Sequence, residues 1–174
     1  MPLTPYHFGP GLLFKGIVPR QFSWIAFGLA QVIVDTEVLI FMIRQEYPLH
    51  RGLHSLLGAS IAGMIASGII LSIYWFAKKN KPYSFTQSHR SWLSLSHELS
   101  PTIGVLIGGI IGGLSHSFFD SIVYSDVQPF WPFSSLNPFL GIVNNNVLTS
   151  GMIISGIIGF LLVSIWFFSK TRAG

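Results

Sequence analysis

No cysteine occurs in the 174 residues, so disulfides and thiolate metal sites are both excluded, and any bound metal must be held by imidazole and carboxylate. Charge is scarce too. Asp, Glu, Lys and Arg make up 9% of the chain, against roughly 25% in an average soluble domain. Apolar residues take their place: 50% of the chain is hydrophobic and the mean hydropathy is +0.59, the composition of a bilayer protein. There is no polar linker and no second composition regime, which predicts a single domain over residues 1–174.

Crossing a ~30 Å hydrocarbon core takes about 20 mostly apolar residues. Four segments approach that length, at about 22–43, 53–77, 101–124 and 147–169. Helices are the only open-ended way to satisfy the backbone there, so the expected fold is an all-α, four-span membrane bundle. Residues 1–16 lack a basic leader and a small-residue cleavage site and do not read as a removable signal. The net charge of +4 is split among short juxtamembrane clusters, which suits anionic lipid headgroups and argues against nucleic acid. Lys15, Arg20, Lys78, Lys79, Lys81, Arg90, Lys170 and Arg172 fall on one face, and Arg44 and Arg51 on the other. This bias predicts a cytoplasmic C-terminus.

Small residues recur every four positions as Gly104, Gly108 and Gly112 in the third span, and as Gly151, Ser155 and Gly159 in the fourth. That spacing lets helix backbones approach closely, within one chain or between copies in a homo-oligomer. Between the second and third spans, Tyr83 to Ser100 places Phe85, Trp92, Leu95 and Leu99 on one helical face. This predicts a helix lying on the membrane surface, with His89 and His97 away from any ligand set.

Against this apolar background stand His7, Asp35, Glu37, His50, His54, His116 and Asp120, and ionisable residues in such positions mark a site. At ~1.5 Å rise per residue, Asp35 and Glu37 lie roughly 9–12 Å inside the end of the first span that leads to Arg44. His54 opens the second span from the same side, and His116 and Asp120 lie in the last turns of the third. His116 and Asp120 share one helical face, as do His50 and His54 if the turn around Gly52 is helical. His7 joins them if residues 7–16 form a half-bilayer helix that turns back near Pro19.

These residues resemble the YdjM-type membrane-bound metal-dependent hydrolases. The shared pattern is Tyr6-His7, Val34-Asp35-Thr36-Glu37, His50-Arg51-Gly52-Leu53-His54, and His116 to Asp120 followed by Gln128-Pro129-Phe130-Trp131-Pro132, over about residues 6–135. Val34 stands where the family usually has proline, Glu37 where it has a second aspartate, and the histidine pair is one residue closer than usual. The resemblance implies a hydrolase of the bacterial inner membrane.

The donor types themselves suit zinc or a similar divalent ion, and seven donors exceed what one tetrahedral ion needs, so two ions fit the count. The expected ligands are His7, Asp35, His54, His116 and Asp120, with Glu37 and His50 bridging or supporting. An unligated carboxylate, Glu37 among them, is the candidate general base, and Arg51 is either a phosphate clamp or a headgroup anchor. The Ser125–Asn146 loop carries Phe130, Trp131, Phe133 and Phe139 but no Lys or Arg; it reads as an aromatic cap that admits lipid-like or phosphorylated substrates, or as a plain interfacial belt. Asp126 within it either contributes to the site or is solvated. The expected chemistry is phosphoester hydrolysis at a site facing the extracytoplasmic side. The alternative is a small transporter or proton relay through Asp35, Glu37, His116 and Asp120, against which the aliphatic run Ile103 to Ile111 argues.

Overall fold

A computed structural model describes residues 5–19, 21–80 and 101–171. The proposed surface helix with His89 and His97, and the cations Arg20, Lys81, Arg90 and Arg172, lie outside the described residues. The described chain is helical throughout its regular structure: α1 (Phe8–Ile17), α2 (Trp24–Ile43), α3 (Leu56–Asn80), α4 (Pro101–Val123) and α5 (Asn145–Thr171). Short 3-10 turns, Pro5–His7 and Gly52–His54, precede α1 and α3. Four helices are long and apolar enough to cross a membrane, over Trp24–Ile43, Leu56–Lys79, Thr102–Val123 and Asn145–Ser169.

The helix ends follow local chemistry. Ser23 caps α2 by accepting from the Ala26 N–H at 3.3 Å, and the Ser55 hydroxyl accepts from Gly58 N–H at 2.9 Å at the start of α3. Pro101 opens α4, where its missing N–H costs nothing. Past the end of α2, Gln45 takes a left-handed conformation (φ 56°) that turns the chain toward Pro48.

Two groups of helices result. α2, α3 and α4 pack tightly together, because their seams are lined with residues too small to hold the backbones apart. Gly63 and Gly109 meet backbone to backbone, Gly113 lies on Ala59, and Gly108 and Gly112 lie on the carbonyls of Ser23 and Phe27. Val34, Ala59 and Ala62 are fully buried among them. α1 and α5 form the second group, running parallel with Gly9 against Met152 and Gly156, and Gly159 against the backbone of Leu12 and Leu13. The seam on α5 therefore runs through Gly156 and Gly159; Gly151 meets nothing.

The expected N-terminal hairpin is present. α1 covers about 15 Å, half the hydrocarbon core. Below it the Lys15 ammonium donates to the carbonyls of Pro19 and Phe22 and closes the turn into α2. His7 is thereby set at the level of Asp120 rather than at a free tail.

Candidate metal centre

Three segments of the tight group deliver donors to one point. Asp35 comes from α2, His54 from the turn before α3, and His116 and Asp120 from one face of α4. One ligand atom of each of these four buried residues lies within 4.8 Å of the others. His116 Nε2 is 3.2 Å from both Asp35 Oδ1 and Asp120 Oδ2, and His54 Nε2 is 3.5 Å from Asp120 Oδ2. Despite those short distances, neither Nε2 atom makes a hydrogen bond, although both are fully buried. The rings lie close to the carboxylates but outside hydrogen-bond geometry, with the four ligand atoms gathered within one small volume. A buried nitrogen without a partner costs about 1–3 kcal/mol, and a cation at that point would relieve it.

The remaining candidates surround this group in distinct ways. His7 Nδ1 lies 3.1 Å from His116 Nδ1, and its Nε2 lies 3.6 Å from Asp120 Oδ1. Burial pushes the pKa of His7 down to about 4, against the pull of Asp120, so the ring is neutral at pH 7. Glu37 is saturated: it accepts from His54 Nδ1–H at 3.0 Å and from the backbone N–H groups of Arg51 and Leu53 at 2.9 and 3.0 Å. A carboxylate on Nδ1 fixes the histidine tautomer that presents the Nε2 lone pair to a metal.

His50 and His54 do not share a helical face, since only Gly52–His54 is helical there. The His50 ring stands edge-on to His54 with centroids 4.6 Å apart, and stacks on Tyr124 at 4.5 Å. Its Nδ1 points away from the four donors to Asp126 Oδ1 at 2.8 Å, while Asp126 Oδ2 accepts from the Leu49 and His50 backbone N–H groups. Burial, with nearby His54, lowers the pKa of His50. Burial opposes the ionisation of Asp126, yet the His50 backbone bond and ring outweigh it and hold the carboxyl below its ordinary range. Arg51 faces outward: its guanidinium covers the Phe41 ring at 3.5 Å, donates to Pro48 O, and lies 3.4 Å from Glu46.

The aromatic loop is tied to the turn and to the end of α4. Pro129 O accepts from Leu56 N–H at 2.8 Å, Trp131 lies against Gly52, and Asn137 donates to Ser121 O at 2.8 Å. Sequence reasoning missed Gln31, buried one turn before Asp35, whose amide donates to the His7 carbonyl at 3.1 Å and so fixes the start of α1. A lone amide in an apolar helix one turn from Asp35 was the available signal.

In a comparison against known families, the profile described as YdjM inner membrane protein matches residues 9–173. The chain belongs to the YdjM inner membrane protein family. No curated protein and no solved structure matches it. The four converging donors of this YdjM chain lie inside the matched range, and His7 lies two residues ahead of it. The family description and the four apolar helices make it an inner membrane protein.

Proposed function

We propose that the chain is a membrane-embedded, metal-dependent hydrolase of phosphoester bonds in lipid-associated substrates, with its site open toward the extracytoplasmic side. The observation that carries this reading is the convergence of two partnerless imidazole nitrogens and two carboxylates from three segments on one buried point. Two nitrogen and two oxygen donors without sulfur suit zinc or a similar first-row ion. Asp35, His54, His116 and Asp120 would hold it. A second ion would need Glu37 or His50, but Glu37 is occupied by His54 Nδ1 and two backbone N–H groups, and His50 is turned to Asp126.

A bound divalent ion supplies Lewis acidity toward a phosphoryl oxygen and acidifies water. The protein's residues supply the rest. Glu37 positions His54 through Nδ1 rather than acting as the base. His116 presents Nε2 to the group only when its proton sits on Nδ1, where it donates to His7 Nδ1; His7 then carries its own proton on Nε2, beside Asp120 Oδ1. That N–H orients an oxygen of the substrate. A carboxylate oxygen of Asp35 or Asp120 would take the proton of the attacking water, whose oxygen bonds to phosphorus as the P–O ester bond breaks, and the carboxylic acid so formed would return that proton to the departing oxygen. Arg51, paired with Glu46 and Phe41, anchors the turn.

The test is turnover of a phosphoester, offered both in solution and as a phospholipid in vesicles, by purified, metal-reconstituted protein. Wild type hydrolyses it, while His54→Ala and Asp120→Ala bind no metal and do not. Metal bound without turnover would contradict the hydrolase reading and leave a metal-binding scaffold.

A further inference from the structure

α5 is the outlier of the bundle. Among the described residues its substantial contacts are with α1 and the Pro5–His7 turn, and α4 touches it marginally at most. The half-length helix α1 packs along α5 and begins at the level of His7, leaving a space between the ends of α4 and α5 among the described residues. A cavity of about 210 Å³ occupies that space. His7 and Asp120 form its inner wall, Val123 and Met152 its apolar flanks, and Asn145 and Thr149 its rim on α5. None of its lining comes from the 125–144 loop, so this opening lies between helices rather than beneath the aromatic cap.

Size and depth restrict what the opening admits. Sites that enclose a whole small molecule occupy about 300–1,000 Å³, so a cavity of this size receives one end of a ligand. With 27 residues, α5 is about 40 Å long, close to the full bilayer thickness including headgroups. Thr149 and Met152 lie four and seven residues from its start, about 6–10 Å in, where lipid phosphates give way to acyl chains. Beyond them α5 presents an exposed apolar face, with Ile153, Ile154 and Ile157 between 43% and 57% accessible, along which a hydrocarbon chain can lie.

Building on the proposed function, we infer that the gap between α4 and α5 is a lateral portal through which a membrane phospholipid swings its phosphate toward Asp120 and His7 while its acyl chains stay in the bilayer. The substrate class is then an amphiphile drawn from the membrane, not a soluble phosphoester. The site end of the gap is polar and would present a Lewis-acidic ion when loaded with metal; the outer end is apolar, and a phospholipid matches both.

The full chain in phosphatidylcholine nanodiscs, doped with a phosphatidic acid carrying a photoreactive diazirine beside its glycerol, tests this directly. Adducts should concentrate at Val123, Thr149 and Met152 over the lipid-facing control Ile157. Thr149→Trp, which fills the rim, should lower the adducts at Val123 and Met152 to the level of Ile157 while bound metal stays at the wild-type amount. Adducts no denser in the gap than at Ile157 in the wild type would overturn the portal, whatever the variant does. Gap adducts without turnover of any phosphoester would sink the hydrolase reading and leave the portal standing. Turnover of phosphatidic acid without gap adducts would do the reverse.

Discussion

The α2–α3–α4 group and the α1–α5 pair use the same packing device, glycine against backbone, to different ends. In the first, glycine seams bring three helices close enough for Asp35, His54, His116 and Asp120 to meet, and half of the most apolar stretch of α2 is buried. In the second, the seam fastens α5 to a short helix, only 11% of the corresponding stretch of α5 is buried, and the pair contributes one polar group, His7, to the site. One region builds the donor set; the other borders it and leaves a side open. Packing among three full-length helices fixes ligand geometry, whereas attachment to a half-length helix leaves one side open.

Substitutions that separate these roles should have graded effects. The largest is expected for Asp120→Ala, which removes a carboxylate facing His7, His54 and His116 together. Metal content measured by elemental analysis should fall to background, and loss of a buried charged partner should cost about 3–5 kcal/mol of stability. Next comes a paired comparison at the seams. Gly112→Leu drives a side chain into the Phe27 backbone and should splay α2 from α4, abolishing metal binding, while Gly159→Leu should push α5 from α1 with metal retained. Each should cost about 1–3 kcal/mol in thermal unfolding, so the discriminating readout is metal, not stability. Equal metal loss in both variants would erase the proposed division.

Smaller effects concern the residues around the four donors. Glu37→Gln keeps one acceptor oxygen, enough for only one of the Arg51 and Leu53 N–H groups, and weakens the hold on His54 Nδ1, so metal affinity by competition titration should drop about 10–100-fold. Asp126→Asn should change stability by only about 1 kcal/mol and leave metal content intact, because the residue fastens His50 and the loop rather than the donor group. Since the Asp126 carboxyl is held below its ordinary range, its contribution is present above the unfolded value and fades as pH falls through the lower folded value. Melting curves of wild type and variant should therefore converge in acid.

Much of this arrangement is legible without coordinates, for identifiable reasons. Long apolar runs leave helices as the only choice, and His116 and Asp120, four apart on such a run, must share a face. The turn of α1 is announced by an apolar stretch half a bilayer long ending near Pro19. Loops resist the same treatment, because no periodicity governs them. The His50–His54 spacing suggested a helical pair, yet the extended segment before Gly52 lets His50 turn to Asp126, 76 residues away. Arg51 is next to the site in sequence, but the same turn sends its guanidinium to Phe41 and Glu46. Glycine spacing on α5 signalled close packing but not its register, since which glycine meets α1 depends on where α1 ends up.

X-ray absorption on the metal-loaded protein tests the central claim most directly. The account predicts a first shell of nitrogen and oxygen only, at about 2.0–2.2 Å, that loses imidazole scattering in His116→Ala. A protein that carries no tightly bound metal, or a shell unchanged in a folded His116→Ala variant, would contradict it.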